Sequence, residues 1–205
     1  MDKSPRTRRS GPERGSGRVP PRPLRTGSGA SPPGRILVAQ VLAHPWPGHD
    51  GRVGISVDAV ASYIDRAVGE MTGIVTGLGD ELANIRPDLP GANSPYAILR
   101  HCLGVMEYWG GHVVAGRMVE RDRAAEFRAA GPVADLAAAA GEAGRRFRAD
   151  LATAEPGGRP RGGHPTTRPD ELELTSQGHA LLHVMEEVYQ HLGQLEITRD
   201  LLRQR

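Results

Sequence analysis

Apolar residues recur every three or four positions from Val57 to Leu82, through Val60, Ile64, Val68, Met71, Val75 and Leu78. That spacing is one face of a helix, whereas a half-buried strand would alternate apolar and polar residues. Three later stretches repeat it. Ile98, Cys102, Val105, Trp109 and Val113 form the second stripe, and Val133, Leu136, Ala140, Phe147 and Leu151 the third. Leu181, Val184, Val188, Leu195 and Leu202 form the fourth. Aromatic residues are only 4% of the chain, so a core must come from Leu, Val, Ile, Ala and Met, which favours helix on helix. An all-α four-helix bundle follows, with helices of roughly 20 to 30 residues joined by polar connectors.

Local signals place the helix ends. Ser56 is a plausible N-cap with Asp58 in the first turn, and the first helix runs to about Asn84, before "RPDLPG". In "NSPYAILRHCLGVMEYWGGHVVAGR", Ser94 caps the second helix and Pro95 takes the first helical position, where its missing N–H costs nothing. Gly110, Gly111 and Gly116 weaken its far end, which is expected to bend or to pack closely. "ERDRAAEF" reads as a charged turn or short helical connector. The third helix begins near Pro132 and ends before Pro156, residues 156–170 read as a loop, and the fourth helix spans about Thr175 to Leu202.

Residues 1–52 differ in kind. They are rich in Arg, Pro, Gly and Ser and too poor in apolar side chains to offset ordering entropy, so a disordered extension is expected before a bundle over 53–205. Residues 1–35 carry nine basic and two acidic residues, +7, which leaves −5 for the rest of a chain of net charge +2. The pI near 9.0 therefore belongs to the tail and says nothing about partners of the bundle. A basic tail can touch nucleic acid, but no aromatics interleave its arginines before Trp46, and no nucleic-acid partner is expected. Lys3 is the only lysine, a bias that suggests a GC-rich genome.

Cys102 is the single cysteine, so no intramolecular disulfide forms and a reducing, cytoplasmic setting is the simplest expectation. The longest apolar run, "ILVAQVLA" at 36–43, is far short of a membrane span, and the segment before it is too long and Pro-rich for a secretion signal.

The chemistry concentrates in "HVMEEVYQHLGQ", where His183, Glu187 and His191 stand four residues apart. Positions i and i+4 share a helix face, but i and i+8 lie about 12 Å apart along the axis. One adjacent pair can grip an ion, and the spacing does not choose between His183/Glu187 and Glu187/His191. A third ligand must come from another helix. His101 is the best candidate, at the edge of the second stripe beside Ile98, Cys102 and Val105. His112, eleven residues on, is about 16 Å further along the axis and cannot share a site with it. His44, His49 and His164 fall in expected loops and His179 opens the fourth helix. A lone core-edge histidine is usually structural, and a Glu–His pair is usually a solvated helix face. Two histidines and a carboxylate brought together suit a three-ligand site with an open fourth place. Cys102 points about 100° away from His101 with no helix N-terminus or basic cluster beside it, so a buried, inert thiol is expected.

"SPYAILRHCLGVMEYW", "RDRAAEF" and "HVMEEVYQHLGQ" together resemble the DinB-like superfamily, in its branch of mycothiol-dependent enzymes that includes maleylpyruvate isomerase. The resemblance covers about Val53 to Leu202. It implies an up-down-down-up four-helix bundle with a divalent metal at one end. By residue, it implies the ligands His101, Glu187 and His191, with Gly193-Gln194 matching the family's ending after the second ligand of the pair. His183 then becomes a supporting residue beside the ligands. The isomerase's extra C-terminal domain has no counterpart before Arg205, so isomerase activity itself is not expected.

The expected function is a metal-dependent thiol-S-transferase acting on a low-molecular-weight thiol such as mycothiol and a small electrophile. Zinc is the first choice for an N/N/O ligand set, and nickel or iron would also fit it. Arg121 and Arg123 are candidate anion or substrate contacts, and no catalytic acid or base stands out. The alternative is a non-enzymatic metal-binding or stress-response module. In either case a homodimer is considered.

Overall fold

The computed structural model describes residues 54–163 and 175–204. The expected tail, the run "ILVAQVLA", His44, His49 and His164 lie outside the described residues. Helices are the regular elements among the described ones: α1 (Val57–Ala83), α2 (Pro95–Met106), α3 (Arg123–Glu126), α4 (Val133–Leu151) and α5 (Gln177–Arg203). A π-helical segment, Glu107–Val114, continues α2 without a break.

The capping signals act as the sequence implies. Ser56 Oγ accepts from Ala59 N at 3.1 Å, and Ser94 Oγ accepts from Ala97 N at 3.3 Å with Pro95 at the first position. At α5 the start is two residues later than expected. Ser176 is the cap, and its Oγ accepts from His179 N at 3.2 Å. The third long helix has 19 residues, just under the expected range.

Contacts along each pair of helices fix their directions. Asp65 pairs with Arg148 and Asp80 accepts from Val133 N, so α1 and α4 run antiparallel. Tyr63 packs on Tyr189 and Gly77 lies beside Arg203, so α1 and α5 run parallel. His101 meets Glu187 while Trp109 meets His183, so α2 and α5 are antiparallel. Leu103 and Leu136 share a cleft and Gly110 lies under Phe147, so α2 and α4 are parallel. The order is up-down-down-up.

The core is continuous through all four long helices. It includes Ile64, Met71 and Val75 of α1, Ile98, Leu99, Leu103 and Met106 of α2, Leu136 and Phe147 of α4, and Leu181, Val184, Val188 and Leu195 of α5. Each such side chain contributes about 1.5–3 kcal/mol by leaving water. Every residue of the second and fourth stripes is buried. Val57 and Leu82, at the ends of the first stripe, are only partly buried, packed against the edge of the core.

The glycines at the end of the second helix act through close packing. A Cβ at Gly110 would overlap the Phe147 ring, and one at Gly111 would overlap the Arg117 guanidinium. The widened π-helical turns keep Trp109, Val113 and Val114 in the core while admitting Phe147 from α4. Arg117, just beyond, donates to both oxygens of Asp150 (2.7 and 2.8 Å) and to Glu107 (3.0 Å), tying the end of α2 to α4.

Candidate metal centre

His101 lies in the second turn of α2, two turns above the Ser94 cap. Pro95 and the cap hold that end of the helix, and Ile98 and Cys102 anchor it in the core. Glu187 and His191 project from α5 one turn apart. They flank the Val184–Val188–Leu195 stripe that packs this helix inward. Because the two helices are antiparallel, His101 arrives level with that pair rather than with His183.

His101, Glu187 and His191 each offer one ligand atom, and the three atoms lie within 4.8 Å of one another. His101 Nε2 is 3.4 Å from Glu187 Oε2, and His191 Nε2 is 3.5 Å from the same oxygen. Donors bound tetrahedrally to one zinc ion at about 2.0–2.1 Å stand about 3.3 Å apart, so these two edges match a single small ion. No other His, Cys, Asp or Glu among the described residues joins the group. His101 is fully buried, whereas Glu187 and His191 are 25% and 16% exposed in their side chains, which leaves the cluster open on the α5 side.

The far nitrogens of both imidazoles are already engaged. His101 Nδ1 donates to Glu126 Oε2 at 2.8 Å, and His191 Nδ1 donates to Gln194 Oε1 at 2.8 Å. Both rings therefore turn Nε2 toward the shared point, the tautomer a metal ligand needs. Glu126 is in turn gripped by Arg121, Nε to Oε1 at 2.8 Å and a terminal nitrogen to Oε2 at 3.0 Å.

Electrostatics agree with this wiring. Hydrogen bonds from His101 and His191 hold the Glu187 carboxyl well below the usual carboxylate range, against the effect of burial. Burial opposes charge on His101, but its hydrogen bonds to Glu126 and Glu187 outweigh that and raise its pKa. Burial likewise opposes charge on Glu126, and the hydrogen bonds with His101 and Arg121 prevail and lower its pKa. The cluster thus concentrates negative charge around nitrogens that a cation, in place of a proton, can occupy.

The other sequence candidates are distributed around this point. His183 Nε2 lies 4.0 Å from Glu187 Oε1, beyond hydrogen-bond distance, and its ring stands edge-on to Trp109 with centroids 4.6 Å apart. Arg121 is turned inward onto Glu126. Arg123 is exposed, its guanidinium 5.2 Å above the ring of Phe127, which itself stacks on His101 at 4.3 Å. His112 is remote from the cluster, with its ring nitrogens on the carbonyls of Arg117 and Gly163. Cys102 is fully buried, and burial, reinforced by the charges of Glu187 and Glu126, pushes its thiol pKa well up.

Three residues of the site were not singled out by sequence reasoning: Glu126, Phe127 and Gln194 in its role as partner of His191. The available signal was "RDRAAEF", in which Asp122 caps a single helical turn and delivers Glu126 inward.

The family model for mycothiol-S-transferases matches residues 59–204, which include the whole cluster. The chain belongs to that family. No curated protein matches the sequence. The matched span coincides with the described bundle, so family and fold refer to the same residues. Membership agrees with the DinB-like resemblance carried by the second helix, the connector and the fourth helix. No helix among the described residues is long and apolar enough to cross a membrane.

Proposed function

We propose that this member of the mycothiol-S-transferase family is a metal-dependent enzyme that joins the sulfur of a low-molecular-weight thiol to a small electrophile. The observation that carries the proposal is the convergence of His101 Nε2, Glu187 Oε2 and His191 Nε2, with both imidazole Nδ1 atoms committed elsewhere. A divalent ion, zinc by preference for this N/N/O set and nickel or iron as alternatives, would lower the pKa of a bound thiol and favour thiolate at neutral pH.

The chain's own groups supply the rest. Before a cation binds, His101 and His191 keep Glu187 ionised by hydrogen bonding to it, so the carboxylate would be ready as a ligand when a cation replaces those protons. Glu126 and Gln194 hold the two rings in orientation. His183 stands beside Glu187 with its ring packed on Trp109, and Phe127 stacks on the His101 ring. Arg123, exposed over Phe127, is placed to meet an anionic group on the thiol or on the electrophile. In the reaction a sulfur–carbon bond forms as the electrophile's leaving group departs with its electron pair. The thiol proton passes to solvent. The open side of the cluster favours this reading over a closed structural site, in which a fourth protein ligand would complete the shell.

The test is metal content of the full-length protein purified without chelators, beside His101→Ala and Glu187→Ala, followed by thiol consumption with a bimane-type electrophile. Near-stoichiometric metal in wild type, lost in both variants together with thiol transfer, is expected. Wild type without metal would remove the proposal.

A further inference from the structure

We infer that Glu126 is the positioning residue of the centre: its carboxylate, clamped by Arg121 and seated against Gly104, fixes His101 for metal binding. The inference rests on the metal-centre reading above and adds a residue that touches neither metal nor substrate.

Four observations support it. Glu126 is 5% exposed although charged, and it sits on a one-turn helix that contributes almost nothing else to the core. A buried carboxylate is costly unless its oxygens are satisfied, and here both are: Oε1 by Arg121, Oε2 by Arg121 and by His101. Space is reserved for it, since a Cβ on residue 104 would lie 2.6 Å from Glu126 Cδ and overlap Oε1. Gly104 is one turn beyond His101, so the same helix presents the ring and leaves room for its partner. Finally, Phe127, the next residue, stacks on the His101 ring at an interplanar angle of 27°. The short α3 thus holds His101 by its edge through Glu126 and by its face through Phe127.

The consequence is twofold. A carboxylate on Nδ1–H makes Nε2 a stronger donor to a cation, and it removes the ring's freedom to flip or change tautomer. Arg121 keeps the carboxylate aimed at His101, with a terminal nitrogen also 3.3 Å from His101 Nδ1, so this arginine is committed to the Glu126–His101 pair and not to holding substrate.

The experiment uses full-length protein and zinc alone as the probe. Zinc affinity is measured by competition with a chromophoric chelator, and cobalt substitution gives a visible spectrum of the site, for wild type, Glu126→Gln and Gly104→Ala. Both variants are expected to bind zinc 10- to 100-fold more weakly. Each should shift the cobalt bands while keeping the wild-type circular dichroism, with kcat at saturating zinc changed less than zinc affinity. Independently of any variant, nitrogen-15 spectra of zinc-loaded wild type should show His101 protonated at Nδ1 and metal-bound through Nε2. Wild type that takes up no zinc removes the metal centre itself. Wild type that binds zinc, with folded Glu126→Gln equal to it in affinity and cobalt spectrum, removes only the role of Glu126. The reverse assignment of the His101 nitrogens does the same.

Discussion

His101 and Cys102 are neighbours in sequence and both are buried, yet they have opposite chemical fates. The imidazole edge reaches polar partners on α3 and α5, whereas the thiol enters an apolar core in which burial and nearby carboxylates disfavour its thiolate. Cys102 should therefore resist iodoacetamide at pH 8 in the native protein and react once urea unfolds it. Rapid labelling of the folded chain by mass spectrometry would show that the thiol is accessible after all. At this scale His101, Glu187 and His191 were readable in advance as candidates, from helical spacing and from the family resemblance. Glu126 was not. It belongs to no apolar stripe, and its partner stands 25 positions away, so only folding reveals what it is for.

The second helix shows what an element's pattern does and does not convey. Ser94, Pro95 and the apolar stripe announced its start and its buried face, and Gly110 and Gly111 announced that something unusual happens near its end. Periodicity could not say that the answer is a π-helical stretch accommodating Phe147 from α4. Gly110→Ala should destabilise the protein by about 1–3 kcal/mol through overpacking against that ring. Urea unfolding should show a lower midpoint at unchanged slope, whereas an unaltered midpoint would mean the ring moves aside freely. In α1 the helix is interrupted at Gly79, with φ 70° and ψ 175°, a conformation essentially reserved for glycine. Nothing in the apolar stripe marks that break, because Leu78 and Leu82 continue the pattern across it.

For the whole molecule, the proposed centre joins α2 to α5, two antiparallel helices that also share the apolar core. An ion bound only by the native state stabilises it by mass action, about 2.7 kcal/mol at a hundredfold excess over the dissociation constant. Zinc should therefore raise the thermal midpoint of wild type in proportion to the logarithm of its concentration. His191→Ala should lose most of that increment while unfolding near the wild-type temperature without zinc. An equal increment in the variant would place zinc elsewhere.

The sequence alone determined the helical class, the four stripes, the caps at Ser56 and Ser94, and, by spacing, four candidate ligands, His101, His183, Glu187 and His191, without choosing among them. These depend on spacing within ten or twenty residues, which a helix converts directly into faces. Tertiary structure decided which histidine meets which carboxylate, that His183 falls out of hydrogen-bond reach of Glu187, and that Arg121 turns inward. Those outcomes depend on the relative height and direction of α2, α3 and α5, which the packing of the whole core sets and no local spacing encodes.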